Sequence, residues 1–515
     1  MLNWVTNFWH TLLFYPFLVP FGFFVIFLYN VLSKGLATGI NLPPSPPKLP
    51  IIGNLHQLTA SLHRDFLSLS QRYGKLMLLH FGSKPTVVVS SVDAVQEIMK
   101  THDVVFCNRP KSRAAIKLFY DYKDVAFAPY GDHWRQMKSV CVMQLLSNKK
   151  VRSFRNIREE ETALMVEIIK GSHSSVVNLS EIIVTYTYDV ICRATFGRKY
   201  SSNRGGGVDF KELLNEAMEL LGVFSLGELI PWLSWVDRLK GLDGRVQKVA
   251  DRLDEFLEAV IQEHHTLSIS AECDYTEEDT KNFVDILLEY QNENKDALSI
   301  ESIKAVILDM FFAGTETIFT LLEWMMSELI RHPRVMKELQ EEIRNIVRGQ
   351  DRRVCEDDLE KLTYLKAVIK EALRLHPPAP LLLFRQPSQD VKINGFDITA
   401  GTQVIINAWA IQRDPTVWED PEAFFPERFL NGTTTYDFKG QDFQFIPFGA
   451  GRRMCPGSSF AVINAELVAA NLVYEFDWKL PDGAECGKLD MAESVGITTH
   501  KRVPLMVTAA PYSCK

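Results

Sequence analysis

The sequence predicts a mainly helical body with small β-sheets, a single unit held behind an N-terminal membrane helix. Three observations carry this expectation. Long apolar-periodic segments with charged faces fill most of the chain, clearest at residues 246–263, 303–329 and 335–347. Strand-like runs occur in only two patches, residues 76–91 and 391–410. Far apart in sequence, these patches must combine to bury their faces, so the chain between them belongs to one body. Residues 1–33 contain no Asp, Glu, Lys or Arg.

Within that uncharged start, residues 11–32 are long enough to cross a bilayer as a helix. Trp4, Trp9 and Tyr29 lie toward its ends, as an aromatic belt does. Pro16 and Pro20 are tolerated in such a helix and kink it. The first charged side chain is Lys34, on the C-terminal flank, which places the following body in the cytosol. Without a basic segment ahead of the apolar run, a cleaved leader is disfavoured. Residues 34–50 form a proline-rich hinge, whose Leu-Pro-Pro-Ser-Pro-Pro-Lys-Leu-Pro run is stiff and extended. Residues 51–515 form the main body. Strands at 76–81 and 86–90 flank the turn-forming Gly82-Ser83-Lys84-Pro85. Helices follow, interrupted by an acidic, solvated loop at 272–279. The second strand patch turns at Asn394-Gly395 and Ala400-Gly401. An apolar helix at 458–474 comes near the end, and no internal repeat is present.

The net charge of −8 gives no signal for a nucleic-acid partner. Eight cysteines are scattered without close spacings, which excludes a disulfide framework or a zinc pattern and fits a reducing compartment.

Residues 448–457 read Phe-Gly-Ala-Gly-Arg-Arg-Met-Cys-Pro-Gly. Cys455 stands at a helix entrance, where exposed N–H groups and the helix dipole are expected to lower its pKa and favour the metal-binding thiolate. Gly449 and Gly451 are expected to admit something flat and bulky, and Arg452 and Arg453 to pair with its carboxylates. A lone cysteine is more commonly an inert core residue; the surrounding pattern is what separates this one. Upstream, Ala313-Gly314-Thr315-Glu316-Thr317 interrupts an apolar helix. Buried acids and hydroxyls cost several kcal/mol unless paired. Gly314 costs a helix about 1 kcal/mol and is expected to let a ligand approach the backbone. The bland alternative is one polar stripe. Glu371 and Arg374 lie three apart on a helix stopped by Leu375-His376-Pro377-Pro378, and Pro426-Glu427-Arg428-Phe429 offers a second arginine. Alone, such a pair is usually a surface contact worth under about 1 kcal/mol.

Together these motifs resemble the cytochromes P-450, the haem-thiolate monooxygenases. Phe448, Gly451, Arg453 and Cys455 stand in the family's Phe-x-x-Gly-x-Arg-x-Cys spacing. The resemblance runs from the hinge to the C-terminus. It includes residues 50–55, 106–110 and 144–148 and Asp414-Pro415-x-x-Trp418, and is nearest the plant A-type microsomal enzymes of family 71. It implies haem b with Cys455 as axial ligand to the iron, contacted by Phe448, Gly451 and Arg453. Trp134, Lys138 and Arg385 would lie near the propionates, with Lys138 where the family carries arginine and Arg135 beside it. Glu316 and Thr317 would be the acid–alcohol pair that delivers protons during oxygen activation, followed by Ile318 where Thr or Ser is common. Glu371, Arg374 and Arg428 would form a structural network behind the cysteine loop. Electrons would come from an NADPH-cytochrome reductase on the endoplasmic reticulum membrane, with Arg135, Lys138, Lys149, Lys150 and Arg452 as a docking face. By analogy the substrate cavity draws on Ile116, Phe119, Phe312, Ala313, Leu381, Leu382, Leu383, Phe384 and Ile497. Their apolar character points to a hydrophobic small molecule; the resemblance to family 71 implies a terpenoid, a coumarin or other phenylpropanoid, or an alkaloid. The rivals are an aldoxime dehydratase or other O2-independent rearrangement, and a non-catalytic haem-binding membrane protein. The glycosylation triplets at Asn178 and Asn431 are unused if the body faces the cytosol.

Overall fold

The computed structural model describes residues 20–24, 39–173, 175–200, 210–223, 225–270, 281–294, 298–348, 352–430, 436–494 and 496–512. The expected membrane helix therefore lies outside the described residues, apart from a helical piece at 20–24, and the acidic loop at 272–279 lies outside them entirely.

The helices that matter for the site are α1 (Leu62–Tyr73), α2 (Arg113–Leu118), α3 (Asp132–Val140), α4 (Arg155–Lys170), α5 (Leu179–Phe196), α6 (Phe210–Gly222), α7 (Leu242–Ser270), α8 (Ile300–Arg331), α9 (Pro333–Ile346), α10 (Thr363–Leu375) and α11 (Ser458–Glu475). α8 runs through the centre and packs on α5, α10 and α11. Among the described residues it is the one helix long and apolar enough to cross a membrane, yet most of it is buried inside the protein. It is apolar nearly all round because it is a core helix. Its N-terminus is capped by the Ser299 hydroxyl, which accepts from the Ser302 amide at 3.2 Å.

The two strand patches do combine. β1 (Leu76–Phe81) pairs antiparallel with β2 (Lys84–Val89). β2 then pairs in parallel with β6 (Gln403–Ile406), placing Val88 opposite Ile405. β4 (Val391–Ile393) and β5 (Phe396–Ile398) form a hairpin of their own. A third sheet falls outside both patches: β8 (Met506–Pro511) between β3 (Val176–Asn178) and β7 (Phe476–Lys479). β3 and β7 are too short to show an alternating pattern, and β3 sits in a stretch that reads as helix.

From Asn41 onward the hinge lies against the body. The Asn41 amide donates to Asp397 Oδ2 at 2.8 Å, and the Leu78 amide donates to the Pro44 carbonyl at 2.8 Å. The Asn178 side chain caps α5, and the Ser180 hydroxyl is buried against Glu323, so this triplet is part of the packing.

Candidate functional site

The cysteine loop is held by its own backbone. The Gly449 amide donates to the Ile446 carbonyl at 2.9 Å, Met454 to Gly451 at 3.0 Å and Cys455 to Phe448 at 3.0 Å. Gly449 and Gly451 have φ of +70° and +69°, where an L side chain is strained. Gly451 has a further reason to be glycine: a Cβ there would lie 2.4 Å from the Met99 carbonyl oxygen and 2.6 Å from Asp103 Oδ1. A Cβ at Gly451 would therefore meet the protein, a second reason for glycine beside the expected bulky group. Gly449 meets nothing nearer than Leu382 at 3.9 Å.

Behind the loop, Glu371 and Arg374 are both 0 % exposed and form a two-pronged ion pair at 2.7 and 2.8 Å. Arg428 Nε donates to the same carboxylate at 3.1 Å, as does the Phe425 amide at 2.9 Å. Arg374 spends its remaining donors on the carbonyls of Gln412, Pro421 and Ala423. Gln412 Oε1 in turn accepts from the Ile446 amide at 3.0 Å, two residues before Phe448. The network thus reaches the cysteine loop through Gln412, which no motif marks.

The thiol itself does not follow the helix-entrance argument. Burial pushes its pKa up; the Gly457 amide and the Lys138 charge pull the other way and do not overcome it. A cation bound to the sulfur is what would make it a thiolate.

Beside the loop stands a cluster of cations. Arg385 is 3 % exposed; its Nη2 donates to the Ala450 carbonyl at 3.0 Å, while Nη1 makes no hydrogen bond and sits 3.6 Å from Asp103 Oδ1. Lys138 Nζ donates to the Met454 carbonyl at 2.7 Å. Arg453 donates to the carbonyls of Cys107, Val125 and Ala128 and stacks on Trp134 at 4.3 Å. The Trp134 indole donates to the Val125 carbonyl at 3.1 Å. Arg452 turns outward with Asp103, and Arg135 pairs with Asp132 at the surface, so neither joins the cluster. Arg109 does, donating to the carbonyls of Ala126, Leu383 and Phe384. Burial pushes Arg109 well below the usual guanidinium range, and Arg453 and Arg385 add to the shift. Burial likewise lowers Lys138, and lowers Arg453 to about 10. Arg109, Lys138, Arg385 and Arg453 stand with the carboxylates of Asp103, Asp124 and Asp309; burial pushes Asp124 up to about 6 and Asp309 well above the usual carboxylate range.

The central helix α8 carries the polar segment. Ala313 is exposed and Gly314 to Thr317 are half-buried, in a helix otherwise buried on both sides of them. The Thr317 hydroxyl donates to the Ala313 carbonyl at 2.5 Å, a local back-bond that Thr315 and Thr320 repeat. Glu316 Oε2 is buried without a hydrogen-bond partner. Gly314 serves packing: a Cβ there would stand 2.6 Å from Ile191 Cδ1 on α5. That gives a packing reason for this glycine beside the expectation that it admits a ligand.

The apolar candidates divide. Phe119 meets Phe312 edge-on at 5.7 Å, and Ile116 packs on the same core. Leu381 and Phe384 pack toward β1, β2 and β6, whereas Leu382 packs with Ile446 and Ala450 by the cysteine loop. Leu383 is half-buried, and its carbonyl accepts from Arg109. Ile497 is half-buried beside Gly222 at the end of α6.

These residues fit a haem. A soft, half-buried sulfur stands in a chain whose central helix α8 carries a segment with side chains only half-buried. An excess of buried cations, one guanidinium nitrogen of them without a hydrogen bond, complements a dianionic edge.

The comparisons with known proteins agree. A family model described as Cytochrome P450 matches residues 43–505. The chain is 53% identical over 507 residues to Cytochrome P450 736A117 of Prunus mume, covering 96% of this chain and 97% of that one. It is 50% identical over 495 residues to a 3-beta-hydroxylase of Tanacetum parthenium, covering 95% and 96%. It is 50% identical over 498 residues to a norfluorocurarine oxidase from a Strychnos species, again covering 95% and 96%. A cysteine loop braced from behind, a cationic edge and a polar break in the central helix thus stand in a chain that belongs to the cytochrome P450 family.

Proposed function

We propose that this monooxygenase inserts one oxygen atom of O2 into a hydrophobic small molecule of plant specialised metabolism, of terpenoid, phenylpropanoid or alkaloid class. The supporting observation is that α8 sets an acid–alcohol pair beside an apolar wall: Glu316 and Thr317 lie one to two turns from Phe312, which meets Phe119. Two relatives named for a hydroxylation and an oxidation lean the same way. Residues 1–33 would anchor the protein in the endoplasmic reticulum membrane, residues 34–50 would link it to the body, and residues 51–515 would face the cytosol and the NADPH-dependent reductase.

In this reading Cys455 Sγ holds the iron, and Arg385, Arg453, Arg109 and Lys138 hold the propionate edge. The bound haem supplies activation of O2 and of the substrate C–H bond. The rest is the chain's work. Thr317 Oγ1 gives up its bond to the Ala313 carbonyl to present a proton to the site, and its lone pairs accept the replacement. Glu316, whose Oε2 has no protein partner, is placed to supply that replacement. Phe119, Phe312 and Ile116 exclude water and orient the substrate by shape. The pair leans against an O2-independent dehydratase, which needs no proton relay for oxygen activation.

Microsomes carrying the chain and a reductase, offered terpenoid, coumarin, alkaloid and aldoxime panels, test the proposal. The expected result is a product that carries one atom from labelled O2 and requires NADPH. Nitrile formed from an aldoxime without NADPH or O2 would overturn it.

A further inference from the structure

We infer that Tyr122 is a positioning residue for the substrate wall: its phenol cinches α2 into a closed loop and so sets where Ile116 and Phe119 stand. This rests on the reading above that those two side chains face the substrate.

Immediately after α2 and Phe119 come three successive residues with positive φ: Tyr120 at 50°, Asp121 at 57° and Tyr122 at 64°. None is glycine. Each side-chain-bearing residue in this region costs free energy, and L residues normally visit it singly. A run of three persists only where surrounding contacts over-determine it.

Those contacts are present at both ends. The Tyr122 hydroxyl accepts from the Ser112 amide at 2.8 Å and donates to the Ser112 carbonyl at 3.1 Å. One phenol therefore bonds both backbone groups of the residue that caps α2, whose carbonyl also accepts from the Ile116 amide at 3.1 Å and whose own hydroxyl accepts from the Ala115 amide. Inside the loop, the Asp121 amide donates to the Ile116 carbonyl and Lys123 to Phe119, each at 2.8 Å. Outside it, the Tyr120 hydroxyl donates to Asp254 Oδ1 of α7 at 2.9 Å, an oxygen shared with Lys304 of α8 at 2.6 Å.

The loop parts two spaces. Arg113, Ala114 and Lys117 line a cleft that α2 shares with Leu220 of α6 and Val246 of α7. Phe119 is turned inward, 1 % exposed, stacked on Phe127 at 5.4 Å and edge-on to Phe312. Removing the phenolic oxygen leaves the Ser112 N–H and C=O without this partner and the left-handed run without one of its pins. The loop then relaxes, and Phe119 leaves Phe312.

The test uses the full chain, haem-loaded, in lipid nanodiscs, titrated spectroscopically with imidazole and with 4-phenylimidazole. Both bind at iron; only the second reaches the wall. Tyr122→Phe is expected to change the 4-phenylimidazole Kd about tenfold while the imidazole Kd stays within about twofold. An unchanged ratio overturns the inference if Ile116→Ala and Phe119→Ala do move it. If those two variants leave it unchanged, the wall reading itself fails and takes the inference with it. A second measurement stands should Tyr122→Phe not fold. Asp121 is exposed, so Asp121→Gly is expected to hold or raise the unfolding midpoint and Asp121→Val to lower it. A lower midpoint for Asp121→Gly would show that the run carries no strain, and would overturn the inference.

Discussion

On the cysteine side of the site, side chains are committed to fixed protein partners, with Arg385 Nη1 the exception. Arg374 binds both oxygens of Glu371 and three backbone carbonyls, and Arg453 binds three more. On the α8 side, Glu316 Oε2 has no partner, and the Thr317 hydroxyl is held only by a carbonyl of its own helix. The first side spends its hydrogen-bonding capacity on rigidity. The second keeps capacity in reserve, at the cost of burying an unpaired acceptor. The contrast fits the proposed roles, in which one side holds a ligand in place and the other moves protons.

The largest expected effect lies on the rigid side. Glu371→Gln leaves Arg374 charged, buried and without its counter-charge, a change worth about 3–5 kcal/mol. The expected outcome is little or no haem-loaded protein and a lower unfolding midpoint. Arg374→Lys, which keeps the charge and loses the fork, should fall in the same direction by less. Normal folding of Glu371→Gln would erase the comparison. On the reserve side, Thr317→Ala should leave haem content and the unfolding midpoint unchanged. Product per NADPH consumed should drop about tenfold or more. A parallel drop in haem content would mean that this side is structural too.

Gly314→Ala is subtler. Better helix propensity offers about 1 kcal/mol, and the clash with Ile191 costs about 1–3 kcal/mol. A net loss of about 1 kcal/mol is expected, relieved by Ile191→Ala in the same chain. Weaker ligand binding with unchanged stability would favour the ligand-approach reading. The smallest effect belongs to Arg452, whose side chain is 53% exposed and lies 3.6 Å from Asp103. Arg452→Glu should move stability by less than about 1 kcal/mol. If Arg452 lies on the reductase-docking face, the same variant should slow the first electron transfer.

Much of this arrangement was legible in the chain, and unevenly. Four positions around Cys455, the Glu316-Thr317 pair and the Glu371–Arg374 spacing are local patterns, so sequence reading finds them. The β2–β6 pairing was legible because two isolated strand patches had only each other to bury against. Arg109 and Gln412 were not. Their partners are backbone carbonyls and an amide contributed by distant loops, and a carbonyl has no sequence signature. β3 was missed because three residues carry no period. Gly314 and Gly451 were marked as special without their protein neighbours Ile191, Met99 and Asp103, since a glycine shows that something comes close and not what. The thiol was misjudged because a helix entrance is visible in sequence and burial is not.

The most direct test of sulfur ligation is the carbon-monoxide difference spectrum of the reduced, purified chain beside that of Cys455→His, both at equal haem content. The account predicts the thiolate-haem band in the natural protein and its complete loss, without loss of haem, in the variant. The same band in both would show that some other residue holds the iron.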